Sequence, residues 1–211
     1  HQQEPLAFGT RPDDDRWTAF VAGTRMAFIS VQADEAEYYT KIESKQEQTK
    51  LAQGLPNVGD SSKSNKREAE TVARLIHTLC QLYSRSGIPF SPCKQIRIIV
   101  PFRAQIAMIR KALAERHIPD TADITIDTVE RYQGSQRDII IFSTTVSRPY
   151  QLSILSEPVM TDGREIDRKL NVALTRARKQ FFMTGNETLL RNCTAYRKFL
   201  DFLSKEQILR L

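Results

Sequence analysis

Residues 95–115 read QIRIIVPFRAQIAMIRKALAE, and how they divide decides the fold. Residues 95–100 are a short run dominated by β-branched apolar side chains, the composition of a buried strand. Pro101 stops that strand, because proline has no N–H to give to a ladder. Beyond it, Ile106, Ile109 and Leu113 recur at three- and four-residue steps, which sets them on one face of a helix from Arg103 to about Glu115. A strand turning directly into a helix of this kind is one repeat of a sheet covered by helices.

Outward from that unit the alternation continues. Toward the C terminus, residues 123–127 (DITID) and 138–146 (DIIIFSTTV) read as strands, the second so rich in β-branched residues that it belongs at the sheet centre. Residues 148–166 are loop-like, 167–179 helical, 180–184 (QFFMT) a strand, and 194–209 a final amphipathic helix. Toward the N terminus, Val72, Leu75, Ile76, Leu79 and Leu82 form one stripe on a helix from Lys66 to about Ser84, ended by Gly87 and Pro89. Residues 25–32 (RMAFISVQ) read as a strand, and between about 33 and 66 the chain becomes a polar loop or insertion carrying KIESKQEQTK and GLPNVGDSSKSNK. Residues 1–24, with the acidic run Asp13 to Asp15, read as a linker or surface segment ahead of one domain over 25–211. The class is α/β, a mainly parallel sheet flanked by helices.

The totals narrow the function. A chain of 211 residues, 40% of them hydrophobic, is enough for one domain with a buried core. No window approaches the roughly 18 apolar residues of a membrane span, so no membrane partner is expected. The chain starts at His1 rather than Met, and the expectation is a piece of a longer protein. With 31 Lys and Arg against 25 Asp and Glu, the net charge of +6 favours a polyanionic partner moderately. Cys80, Cys93 and Cys193 are scattered and odd in number, which suits reduced thiols of an intracellular protein, cytoplasmic or nuclear if eukaryotic. His77 and His117 have no metal or nucleophile partner nearby in sequence and read as structural; no metal site is expected.

Three segments remain for chemistry: 99–105 (IVPFRAQ), 128–138 (TVERYQGSQRD) and 170–179 (LNVALTRARK). Each lies where a strand meets a helix or loop, and in open parallel sheets ligands gather at strand carboxyl ends. Each also has an ordinary reading: Pro101 as a strand stop, Gly134 as a turn, Arg176 and Arg178 as solvated surface. In their order and spacing the three resemble motifs IV, V and VI of superfamily 1 DNA and RNA helicases, in the Upframeshift-like branch. Ser64-Asn65 followed by Glu68-Ala69 resembles the element preceding the first long helix of that branch, and the likeness covers roughly residues 25–190.

The resemblance implies a RecA-like sheet of P-loop NTPase type, forming the second (C-terminal) motor domain and lacking its own phosphate loop. ATP and Mg2+ then lie mainly on the first RecA-like domain of the same parent chain, and the second domain contributes an arginine across the cleft to the γ-phosphoryl group. That arginine corresponds to Arg176, the expected catalytic residue. Helix geometry points the same way: at about 100° per residue, Leu170, Leu174, Ala177 and Phe181 define an inward stripe, Arg178 lies about 40° from Leu174 and Arg176 roughly 160° away.

In motif V the likeness puts Thr128 on the backbone of a bound strand and Gln133 and Gly134 close to the nucleotide phosphates. Gln136 stands where the family often has an acid; its amide still hydrogen-bonds. Arg103 and Arg178 are further nucleotide-contact candidates, and Pro101 and Ser143 or Ser147 candidates for the nucleic-acid track. The 211 residues contain no GxxxxGK[ST] and no acidic magnesium motif, so the chain alone is expected to be catalytically silent. The expected partners are single-stranded DNA or RNA and the other motor half. The alternative is a degenerate, non-catalytic nucleic-acid or protein binding module, supported by Gln136; a dinucleotide enzyme is disfavoured by the lack of GxGxxG.

Overall fold

A computed structural model describes residues 6, 8–31, 63–129, 136–161 and 163–211. In chain order its elements are α1 (Arg16–Gly23), β1 (Met26–Ser30), α2 (Lys66–Arg85), α3 (Pro92–Gln95), β2 (Ile96–Val100), α4 (Arg103–Glu115), β3 (Thr125–Thr128) and β4 (Arg137–Ser143). There follow a 3-10 turn (Pro149–Gln151), α5 (Leu152–Leu155), β5 (Pro158–Thr161), β6 (Arg164–Asp167), α6 (Arg168–Thr175) and β7 (Ala177–Gly185). The chain closes with α7 (Glu187–Leu190), α8 (Thr194–Phe202), a second 3-10 turn (Lys205–Gln207) and β8 (Ile208–Arg210).

The described strands form a parallel sheet in the order β3-β2-β4-β7-β1-β8, beside an antiparallel β5–β6 hairpin. The sheet is buried on both faces, and the period of two along a strand sorts its side chains. Ile139, Ile141 and Phe182 face α1, α2 and α4, where Val72, Leu75, Ile76, Leu79 and Leu82 are fully buried. Ile140, Phe142, Phe181 and Met183 face α6 and α8, against Leu170, Ala173, Tyr196 and Phe199. Burying one such side chain stabilises the fold by about 1.5–3 kcal/mol, so the α2 stripe alone fixes that helix on the sheet. Asn65 caps α2 by accepting from the Glu68 N–H, and Gly87, at φ 66°, turns the chain beyond its end.

Four segments fold differently from their sequence reading. The stretch expected as a linker or surface segment carries α1, whose Trp17 is 5% exposed. Trp17 donates from Nε1 to Thr78 Oγ1 at 2.7 Å, the Arg74 guanidinium lies 4.2 Å over its ring, and Asp14 pairs with Arg85 on α2. Eight residues make barely two turns, too few for an apolar period to show. The loop-like 148–166 contains α5 and most of the hairpin. The last helix stops at Phe202, and β8 pairs beside β1, matching Phe28 with Ile208.

The fourth difference bears on the site. The helix expected over 167–179 ends at Thr175, with Arg176 as its cap, and β7 begins at Ala177. The backbone N–H of Arg137 donates to the Arg176 carbonyl at 2.9 Å, so the strand ladder claims this segment before the helix can continue. The polar stretch expected over 33–66 falls outside the described residues up to 62.

At the end of β7 the backbone of Gly185 passes close to its neighbours. A Cβ there would meet Thr144 Oγ1 and, at 2.9 Å, Leu190 Cδ1, and both neighbours are fully buried. Gly185→Ala is expected to cost about 1–3 kcal/mol by overpacking, read as a lower denaturation midpoint. Unchanged stability would show that the Thr144 side chain swings aside freely. Among the described residues no helix is long and apolar enough to cross a membrane.

Candidate functional site

Because the strands are parallel, the sheet has two chemically distinct edges. At the carboxyl edge β2 ends at Val100, β3 at Thr128, β4 at Ser143 and β7 at Gly185. The first turns of α2 and α4 begin there too, as each helix runs back antiparallel to the strands. Arg103 is exposed as the first residue of α4, while Pro101 is buried and Thr128 is 8% exposed.

A buried polar cluster lies under this edge. Glu68, fully buried on the first turn of α2, accepts at Oε2 from Ser143 Oγ (2.7 Å), Thr184 Oγ1 (3.0 Å) and the Thr145 N–H (3.1 Å). The Gln105 amide, fully buried on α4, donates to Ser143 Oγ at 3.3 Å and to the Asn65 carbonyl at 3.1 Å, while its oxygen accepts from the Asn65 N–H at 2.7 Å. Burial pushes the Glu68 carboxyl up to about 7, outweighing the donors from Ser143, Thr145 and Thr184 that favour its charged form. Thr145 sits at φ 63°, in the left-handed region that a β-branched residue rarely occupies.

At the amino edge the ends of the second and third segments meet. Gln136 is exposed and its Nε2 donates to the Thr175 carbonyl at 3.4 Å; next to it, Arg137 joins Arg176 through the backbone bond. Arg176 is half-buried and Arg178 is exposed on β7. Lys179 and Asp138 pair across β7 and β4 at 2.9 Å.

Several expectations change in this geometry. The three segments do not converge at strand carboxyl ends: Arg103 and Thr128 lie at that edge, whereas Gln136, Arg176 and Arg178 lie at the opposite one. The reason is topological, since a helix returning antiparallel to the strands delivers its last residue to the amino edge. The helical angles drawn for Arg176 and Arg178 do not apply, because the helix ends before both. Of the two, Arg176 is the more buried. Ser143, expected in the nucleic-acid track, turns fully inward and gives its hydroxyl to Glu68. Gln133 and Gly134 lie outside the described residues.

Sequence reasoning missed Glu68 as a buried group, although its position carried a signal. It lies four residues before Val72, on the stripe continued by Leu75, Ile76 and Leu79, so the helix period turns it inward. An acid in a first helical turn ordinarily reads as a surface partner of the helix dipole.

Comparison with known proteins adds an independent line. The AAA domain family matches residues 14–188. The chain is 31% identical over 155 residues to MOV-10 of Gallus gallus, covering 67% of this chain and 15% of that protein. It is 28% identical over 159 residues to the DNA polymerase alpha-associated DNA helicase A of Schizosaccharomyces pombe, covering 74% of this chain and 21% of that protein. To the DNA replication ATP-dependent helicase/nuclease DNA2 of Mus musculus it is 31% identical over 139 residues, covering 66% and 12%. The chain thus spans between 12 and 21% of the length of these relatives.

Proposed function

The chain belongs to the superfamily 1, Upframeshift-like helicase domains, and from that membership we propose that it is the second RecA-like motor half of an ATP-dependent translocase on single-stranded DNA or RNA. The observation that carries this reading is that the second segment has one end at each edge of the sheet. Thr128 closes β3 at the carboxyl edge and Gln136 precedes β4 at the amino edge, so residues 128–136 connect the two. A motor needs such a link, because nucleotide state and grip on the strand must change together.

The amino edge carries the chemistry suited to a nucleotide bound on a partner domain. Guanidinium groups match phosphate oxygens in shape and charge, and Arg176 and Arg178 lie at this edge with Gln136. Bound ATP and Mg2+ supply the reacting phosphoryl group and its counter-charge. This chain's contribution is Arg176, positioned by the cap of α6 and the start of β7 to offset charge developing on the γ-phosphoryl oxygens. Arg103, expected at the nucleotide, is proposed instead for the other ligand, since an exposed cation at the carboxyl edge, beside Pro101 and Thr128, suits a phosphodiester backbone. Backbone grip is sequence-tolerant and weakens steeply with salt. The three free thiols suit a reducing, intracellular setting.

The test is ATP hydrolysis by the longer protein with and without single-stranded DNA or RNA, beside the 211-residue chain alone. Strand-stimulated turnover by the longer protein and none by the chain is the expected result. A longer protein that binds strands, with salt dependence, yet shows no stimulated turnover would make this a degenerate binding module, with Gln136 in place of an acid as the first suspect. Turnover by the chain alone would contradict the assignment as a second motor half.

A further inference from the structure

Motif reading supplies no role for Glu68 in the carboxyl-edge cluster, and four parts of the fold meet through it. Its Oε2 accepts from two adjacent strand ends, Ser143 on β4 and Thr184 on β7, which are register partners. The same oxygen accepts from the Thr145 N–H, at the first corner beyond β4. Through Ser143 the contact passes to Gln105, and so to the first turn of α4 that carries Arg103.

We propose that Glu68 is a positioning residue for strand binding: its side-chain oxygen, as a hydrogen-bond acceptor, holds the corner at 144–147 and the first turn of α4 in the shape that receives a single strand. The proposal rests on reading the carboxyl edge as the nucleic-acid track.

The corner shows why a holder is needed. Thr145 carries a positive φ of 63°, costly for a β-branched residue, and such conformations persist only where the surroundings over-determine them. Here the determinant is the bond from the Thr145 N–H to Glu68, since among the described residues the Thr145 hydroxyl reaches only back to the Ser143 carbonyl at 3.3 Å. The chain then surfaces at Ser147 and Arg148, both half-buried, whose N–H groups donate to Gln151 Oε1 at 2.8 and 2.9 Å. Glu68 therefore sits beneath the surface and fixes where that surface emerges. An apolar residue would fill the space, but it would leave three buried donors without an acceptor.

The acceptor role separates Glu68→Gln from Glu68→Ala. In the 211-residue chain, affinity is measured for fluorescent oligo-dT and oligo-U, with hydrogen exchange followed at 143–148 and 103–106. Glu68→Gln keeps an acceptor oxygen and is expected to stay within about twofold of wild type. Glu68→Ala is expected to weaken binding by about tenfold or more. It should lose protection in those two stretches while β1 and β8 keep theirs. Adding Thr145→Gly to the alanine variant should recover most of the affinity, because glycine holds a positive φ unaided. Should the alanine variant not fold, Ser143→Ala removes one donor and the Gln105 relay, and protection should then fall first at 103–106. Equal damage from Gln and Ala, uniform loss of protection across the sheet, or unaltered affinity once the corner loosens would each overturn the proposal. If the wild-type chain binds neither oligonucleotide, the track reading fails by itself, and the exchange pattern still decides whether Glu68 sets the corner.

Discussion

In a protein that carries both proposed motor halves, Arg176→Ala is expected to lower strand-stimulated ATP hydrolysis by about 10³-fold or more, the scale on which a trans-cleft arginine acts. The loss should fall on kcat, with the Michaelis constant for ATP little changed, because the proposed role of the guanidinium is to meet charge that develops mainly in the transition state. Arg178→Ala is the internal comparison. It lies two residues along β7, exposed, and a side chain that only adds positive field there should cost about tenfold or less. Binding of single strands should be nearly untouched in both variants, since they alter the amino edge and the strand is assigned to the other. An equal loss from the two substitutions would move the catalytic role away from Arg176; an unaffected Arg176→Ala enzyme would end it.

A stability profile against pH tests the buried carboxyl directly. Glu68 titrates near 4.5 in an unfolded chain and is pushed up to about 7 by burial in the fold. The folded state therefore binds this proton more tightly. Its contribution to stability is complete below about 4.5 and is lost as pH rises through about 7. Each tenfold gain in proton affinity is worth roughly 1.4 kcal/mol, so the full change is about 3 kcal/mol. Urea unfolding at pH 5 and pH 8 should show the wild-type chain weaker at pH 8, and Glu68→Gln should flatten that difference. The described hydrogen-bond partners of the carboxyl are Ser143, Thr145, Thr184 and Asn65, none of them charged, so the slope belongs to this group. Asp14 works outside the window: Arg85 holds its carboxyl down to about 2, so its contribution is present above 3.8 and lost only as pH falls toward 2. A variant with the same slope as wild type would show that Glu68 does not carry the proton. The acceptor role survives this titration, because a protonated carboxyl keeps a lone pair on its carbonyl oxygen.

Both predictions depend on positions whose significance is unequally visible in the chain. Arg176 stands in LTRAR and Gln136 in QGSQRD, and their spacing along the chain is enough to assign a family. The physical convergence of those two segments is not legible in that spacing. They meet because β4 and β7 are adjacent and parallel, with Arg137 paired to Ala177, and strand adjacency is a non-local property. Glu68 shows the opposite limit. Its inward direction follows from the helix period, but its three donors come from residues 75 to 116 positions away, which no local pattern can announce.

The class of the fold, the centre of the sheet and the family are all written in the order of residues. Strand content at 96–100, 137–143 and 177–185, and the stripe from Val72 to Leu82, are set by side chains that must leave water together, and that requirement is carried residue by residue. Where elements end, and which edge each functional residue reaches, emerged only from the folded chain. Helix α6 yields to β7 at Arg176 because the neighbouring strand offers a backbone partner there. Ser143 turns from a surface candidate into a buried donor because a helix from far earlier in the chain brings an acceptor to it. Burial is a one-body preference that each residue carries with it, whereas strand pairing and hydrogen-bond partnership exist only once the chain has folded.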